Sequence, residues 1–222
     1  MPPDEDVSYG PHIVAERELR LLGDLRNKRV VELGCGERSA SVAFAVQGAI
    51  AIAVDTSTER LSRLRRAANE AEVRLELREG DLADLAFLRA DSVDLVFSAY
   101  ALGDVDDLGR VFRQVHRVLR VGAPLVFSLP HPFSRVVDLH GAEPQRLVHS
   151  YFDLSAAPSD GRPRAYLVSE LFTLLTRASY RVDAIVEPEP EPSLAGPHDT
   201  TWSEALAYLP GTLVIRARKE GN

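Results

Sequence analysis

Short apolar runs and helically spaced apolar positions follow one another along this chain. A run at residues 30–33 ends in Gly34-Cys35-Gly36. A polar opening at 39–41 leads into a helical stretch ending near Gln47 and Gly48, and a second run at 50–54 ends in Asp55. This is strand, glycine turn, helix, strand and acid, a unit that builds parallel sheet. Thr56 and Glu59 read as a capping box for the next helix, where Leu61, Leu64, Ala68 and Ala71 mark one face. Further strands are predicted at 73–77, 93–98, 124–129, 181–186 and 212–217. Asp106 and Asp107 open a long helix with Leu108, Val111, Phe112, Val115, Val118 and Leu119 on its buried face. Another helix is predicted over 168–178. Upstream, Ala15, Leu19 and Leu22 predict an amphipathic helix over 13–22, closed by Gly23.

The glycine turn and the acid that follows it carry the candidate chemistry. Glycines let a backbone approach a nucleotide closely, and Asp55 lies about 20 residues on, where an acid accepts hydrogen bonds from ribose hydroxyls. The dinucleotide pattern G-x-G-x-x-G is incomplete, because Ser39 stands three residues after Gly36.

Glu32-Leu33-Gly34-Cys35-Gly36 resembles motif I of the class I S-adenosylmethionine-dependent methyltransferases, with Arg38 where that motif has a further glycine. The stretch 82–129 is similar to the type-11 group of that family, down to the run Phe112-Arg-Gln-Val-His-Arg-Val-Leu-Arg120. The resemblance implies an α/β, Rossmann-like, doubly wound sheet of seven mostly parallel strands with an antiparallel last strand. It implies one methyltransferase domain over 1–222, with a cofactor-covering segment at 1–28 and a cofactor-binding core at 29–130. An insertion or lid at 131–167 and a C-terminal helix and strands at 168–222 complete it. The implied cofactor is S-adenosylmethionine, leaving as S-adenosylhomocysteine. Its implied contacts are Tyr9, Glu32, Gly34, Cys35, Gly36, Arg38, Asp55, Thr56, Asp81, Leu82, Ser98 and Ala99. Within that set, Asp81 accepts from the adenine amino group and the amide beside it donates to the ring. Arg38 departs from the motif, and its guanidinium is instead a candidate partner for the methionine carboxylate.

Two residues are candidates for the transfer itself. His131, between Pro130 and Pro132, is the best-placed ionisable group after the fifth strand and suits a general base. Tyr100, after the fourth strand, faces the methyl donor or the acceptor, or forms an aromatic wall. Residues 134–165 contain little periodicity and read as a lid, with His140, His149, Tyr151 and Phe152 as candidate lining. His198, Trp202 and Tyr208 belong to a stretch that closes the substrate pocket or covers surface. Asp94 and His116 read as structural.

Composition narrows the classes. A net charge of −7 over 222 residues argues against nucleic acid as a partner. A single cysteine excludes an intrachain disulfide and suits a reducing cytoplasm. Cys35 reads as a small buried residue. No apolar run is long enough to cross a membrane, no secretion signal is visible, and the histidines lack paired metal-ligand spacing. The expectation is methyl transfer to a small-molecule acceptor by a cytoplasmic monomer or homodimer, with oxygen, nitrogen and carbon acceptors all open. The alternatives are a non-catalytic protein that binds S-adenosylmethionine or its product, and a nicotinamide-linked oxidoreductase.

Overall fold

A computed structural model describes residues 6–36, 39–139, 146–154, 164–196, 199 and 201–221. Seven strands form one sheet: β1 (Arg29–Leu33), β2 (Ile50–Asp55), β3 (Glu76–Glu79), β4 (Leu95–Ala99), β5 (Pro124–Pro130), β6 (Tyr180–Val186) and β7 (Thr212–Lys219). Their spatial order is β3-β2-β1-β4-β5-β7-β6. The pairs from β3 to β5 are parallel, and β7 runs antiparallel between β5 and β6. The order reverses between β1 and β4. In such sheets that switch point opens a crevice at the carboxyl ends of the strands. Glycine turn, Asp55, Ala99 and Tyr100 all lie at those ends.

Among the described residues five α-helices accompany the strands: α1 (Glu16–Leu19), α2 (Ser41–Val46), α3 (Thr58–Glu70), α4 (Leu108–Val118) and α5 (Val168–Arg177). Alternate residues of β1 serve opposite faces of the sheet, as a pleated strand requires. Val31 and Leu33 pack in one core cluster with Val111, Phe112 and Val115 of α4 and Leu171 and Leu175 of α5. Val30 packs in another with Phe97, Phe44 and Tyr9. Asp94 accepts from the Arg29 amide at 2.9 Å and from Arg120 at 2.6 Å, which pins the start of β4 to β1.

Three local expectations are corrected. The helix expected over 13–22 is one turn only, since Arg20 adopts a left-handed backbone (φ 52°). The Glu16 carboxylate then accepts from the amides of Leu21 and Leu22 and rewards the break. At α3 the cap is Ser57, not Thr56: its hydroxyl accepts from the Arg60 amide. The predicted start of the third strand moves from 73 to Glu76, because Val73 closes the end of α3 by donating to Ala68 O.

The antiparallel edge carries its own electrostatic tie. The register of β6 against β7 shifts between Val182 and Ala184, and Asp183 in that bulge receives Arg216 at 2.7 Å and Arg218 at 2.5 Å. Burial pushes the Asp183 carboxyl up, but the two guanidinium hydrogen bonds outweigh it and hold the group below the ordinary carboxylate range. A depressed folded pKa contributes stability above the unfolded pKa and loses it as pH falls through the folded value. Asp183→Asn is therefore expected to lower unfolding free energy by about 1 kcal/mol at pH 7, a modest value because solvent screens the pair. The gap from wild type should close below about pH 4. Denaturant midpoints across pH 2–7 test this, and a gap independent of pH contradicts it.

Candidate functional site

The first strand ends in a backbone trap. Gly34 has φ +79°, and a Cβ built there would lie 2.0 Å from the Ala101 Cβ. Its amide donates to Val54 O at 2.8 Å, closing the turn onto β2. Glu32, 2% exposed, sits beneath this turn. Its carboxylate accepts from the amides of Ala40 and Ser41 and from the hydroxyls of Ser39 and Ser41. Four donors thus fasten the start of α2 to the end of β1. Burial pushes the Glu32 carboxyl up, and these donors offset part of that push.

Asp55 closes the second strand and is almost wholly buried, at 1% exposure. It accepts from the Cys35 amide at 2.6 Å and the Ser57 amide at 2.7 Å. Arg60, one turn into α3, reaches back with Nε at 3.0 and 2.9 Å and Nη2 at 2.7 Å. Burial raises the Asp55 carboxyl, but Arg60 and the amides outweigh it and hold it below the ordinary range. The ionised form is favoured, with Arg60 as counter-ion.

A cavity of about 400 Å³ opens over this turn. Of the residues singled out in the sequence, Gly34, Cys35, Gly36, Asp55, Thr56, Asp81, Leu82, Ala99 and Tyr100 line it together. A Cβ at Gly36 would meet nothing within 4 Å. Asp81 uses Oδ1 to accept from the Ala83 amide at 2.8 Å. The lining also includes Arg60, Ala101, Asp104, Val105 and Asp106, none of which the sequence marked as a site residue. Arg60 was visible only as a guanidinium five residues after the acid. Asp106 read only as the opening of the long helix.

A second cavity, about 740 Å³, shares Tyr100 with the first. It is lined by Pro11, His12, Pro130, Ser134, Arg135, Val137, Asp138, Leu139, Val148, His149 and others. Tyr100 lines both spaces. Its backbone is left-handed (φ 61°), a rare state for a bulky aromatic residue. Its hydroxyl is 2.6 Å from Thr212 Oγ1, and a Cβ at Gly10 would fall 2.7 Å from its ring. Burial pushes the Tyr100 phenol up to about 12, with the Thr212 hydrogen bond opposing, so it stays protonated at neutral pH. His149 is the one histidine of the expected lid that lines this cavity among the described residues.

Other expected site residues lie elsewhere. Tyr9 is fully buried against Phe97, and its hydroxyl donates to Glu16 instead of reaching the cavity. Burial pushes its phenol far above the ordinary range. Glu32 faces α2, so it shapes the turn without lining it. Ser98 spends its hydroxyl on Leu33 O at 2.7 Å. His131 lines neither cavity. Its Nδ1 accepts from the Phe133 amide at 3.1 Å, which leaves Nε2 as the N–H that meets Glu187 at 2.7 Å. Both ring nitrogens are thereby engaged, and the imidazole has no lone pair free to take a proton. Tyr151 and Phe152 stack edge-on against each other outside the cavity. Cys35 lines the first cavity, with burial pushing its thiol up, away from nucleophilic character. Arg38, His140 and His198 fall outside the described residues. Among the described residues no group of three histidine, cysteine, aspartate or glutamate side chains could hold a metal ion, and no helix is long and apolar enough to cross a membrane.

Residues 31–127 match a family described as a methyltransferase domain. The ubiquinone biosynthesis O-methyltransferase of Hahella chejuensis is 33% identical over 121 residues, 54% of this chain and 51% of that one. The chain spans about half the length of the curated relatives it matches. The solved structure of an S-adenosylmethionine dependent methyltransferase from Mesorhizobium loti superposes with a TM-score of 0.73 at 27% identity, covering 91% of this chain and 96% of that one. A Listeria monocytogenes protein of 22% identity shares the fold with a TM-score of 0.74, covering 93% and 96%.

The two glycines of the turn have separable roles. Gly34→Ala combines a positive φ with a hard clash and is expected to destabilise the fold by at least about 2 kcal/mol. Gly36→Ala meets open space and is expected to stay within about 0.5 kcal/mol of wild type. Thermal and denaturant unfolding of the two variants compares them directly. Equal stability would mean that the turn is not held as described.

Proposed function

Residues 31–127 match the methyltransferase-domain family, and from that match we propose that the chain transfers a methyl group from S-adenosylmethionine to a hydroxyl of a small molecule held in the second cavity. The observation that carries this reading is the sharing of one wall. Tyr100 separates a cavity suited to a nucleoside from a larger one open to an acceptor.

The first cavity fits the cofactor by its chemistry. Its open floor at Gly36 leaves room for close approach. Asp81 and Asp55 supply carboxylates for the adenosine, while Leu82, Ala99, Ala101 and Val105 supply apolar wall. Asp55, Asp81, Asp104 and Asp106 against Arg60 make the described lining net negative, which suits a cationic sulfonium. The volume falls within the range of small-molecule sites. S-adenosylmethionine supplies a methyl group already activated by its positive sulfur, so the protein's work is mainly positioning. Asp55 would accept from the ribose hydroxyls, and Arg60 would share or yield its carboxylate oxygens. The Asp81 carboxylate, one oxygen held by the Ala83 amide, would meet the adenine edge. Tyr100, protonated and fixed by Thr212, would hold the acceptor and cannot serve as its base.

The oxygen acceptor is favoured because a relative matched over about half its length is a ubiquinone biosynthesis O-methyltransferase. The second cavity is mixed, with Val137, Leu139, Val148 and Leu206 beside His12, Arg135 and His149. That lining fits an acceptor with an apolar body and a polar reacting end.

Titration calorimetry with S-adenosylhomocysteine tests the first cavity. Asp55→Ala is expected to weaken binding by roughly 10- to 100-fold, the scale of lost charge-assisted hydrogen bonds. Gly36→Val should weaken it comparably while the fold persists. Unchanged affinity in both variants would move the nucleoside elsewhere. His131→Ala, by contrast, should leave methyl transfer within about threefold of wild type, because its ring nitrogens already serve neighbours. A loss of turnover beyond tenfold would restore it as the base.

A further inference from the structure

Asp55 is the acid through which the first cavity would meet a ribose, yet its acceptor positions are already filled from within the chain. A carboxylate offers about four lone-pair sites, two on each oxygen. Oδ1 accepts from the Ser57 amide at 2.7 Å and from Arg60 Nη2 at 2.7 Å. Oδ2 accepts from the Cys35 amide at 2.6 Å and from Arg60 Nε at 2.9 Å, with Nε also 3.0 Å from Oδ1. The residue is 1% exposed, so no face of the carboxylate is left for a further donor.

These donors differ in what holds them. The Cys35 amide belongs to the turn that Gly34 closes onto Val54 O, and Ser57 is the cap of α3. Neither amide can leave without undoing the turn or the start of the helix. The Arg60 guanidinium hangs on a flexible side chain that is 42% exposed. The helix itself does not favour it there, because Arg60 stands in the first turn of α3, where the macrodipole opposes a cation. Asp104, on the lining of the same cavity, adds to the field that keeps the guanidinium charged and gives it a second carboxylate to face. Arg60 is therefore the donor that can be replaced, and it borders the space from which a replacement would come.

We propose that Arg60 is the specificity-determining residue of the nucleoside site: its guanidinium stands on Asp55 where two ribose hydroxyls would donate, and a ribonucleoside binds by displacing it. The inference rests on the reading of the first cavity as the nucleoside site. Ribose hydroxyls are neutral donors, whereas the guanidinium is a charged fork whose hydrogen bonds to a carboxylate are stronger and geometrically matched. The exchange therefore returns only part of what the same hydroxyls would gain at an open acid. Arg60 in this way lowers the affinity for every ribonucleoside. It also narrows the difference between a ribonucleoside and one without the hydroxyls, since the second leaves the Arg60–Asp55 pair in place.

The test uses the full chain at about pH 8, well above the carboxylate range. Arg60→Met keeps the length of the side chain and removes its donors. Titration calorimetry should show it binding S-adenosylhomocysteine about tenfold more tightly than wild type, the scale of a charge-assisted pair partly open to solvent. Arg60→Lys keeps the charge without the fork and should tighten binding by a smaller factor. Adenosine and 2′,3′-dideoxyadenosine, measured by displacement of S-adenosylhomocysteine, should differ by about threefold in wild type and by about 30-fold in Arg60→Met. In the wild type itself, the Arg60 Nε–H signal in proton–nitrogen spectra should shift on saturation with S-adenosylhomocysteine and exchange faster with water. Affinity unchanged or weakened in Arg60→Met, an unchanged ratio between the two nucleosides, or an Arg60 signal that does not move would each overturn the assignment while leaving the nucleoside in the first cavity. Should Arg60→Met fail to fold, the Arg60→Lys affinity and the wild-type signal decide between the same two results. A wild type that does not bind S-adenosylhomocysteine removes the reading of the first cavity, and the role of Arg60 with it.

Discussion

A buried carboxylate beneath the glycine turn sets the geometry on which the rest depends. Glu32 accepts four hydrogen bonds from residues 39–41, two from amides and two from hydroxyls. The first strand points into the sheet core, and α2 would otherwise leave its amino end unsatisfied. By meeting those donors, one side chain decides where α2 begins and how the chain turns between strand and helix. Burying that charge is unfavourable, as the upward push on its carboxyl records. The return is positional: Gly34 is held with its Cα face against Ala101, and Gly36 is left bare above the strand ends.

A second carboxylate repeats the device with a different outcome. Asp55 holds the Cys35 and Ser57 amides, so turn, strand and α3 share one anion. Unlike Glu32, it keeps an edge toward the cavity, and there Arg60 occupies it. Arg60 is 42% exposed along its side chain while Asp55 is 1% exposed, so the pair joins a solvated cation to a buried anion. The two acids therefore divide the labour: one is sealed in to build the turn, and the other borders the cavity with its counter-ion.

The sheet was legible because its signals are local. Apolar runs ended by glycine or acid located β1 and β2, and three-and-four spacing located α4 and α5 within a residue or two. The first cavity was legible for the same reason, since motif spacing fixes which residues meet at adjacent strand ends. What misled was chemistry that depends on side chains meeting across the chain. Tyr9 looked available until Glu16, seven residues on, took its hydroxyl. His131 looked poised until the Phe133 amide and Glu187 took its two nitrogens. The helix expected over 13–22 failed because a glutamate competed for the amides that a longer helix would have used.

His12 illustrates the converse. In sequence it follows a glycine and a proline and falls outside any periodic stretch, so it reads as a turn residue. Only the return of the chain at Thr201, 189 residues later, gives its ring a hydrogen-bond partner. The lining of the second cavity is thus assembled from residues near both ends of the chain and the loop after β5, none of which carries a strong pattern. A wall at Tyr100 joins this irregular half to the regular one, and its left-handed backbone follows from the fit: Gly10 admits the ring on one side and Thr212 anchors the hydroxyl on the other. The lining on one side of that wall comes from the sheet, whose geometry tolerates little change. On the other side it comes from loops, which can vary without disturbing the glycine turn.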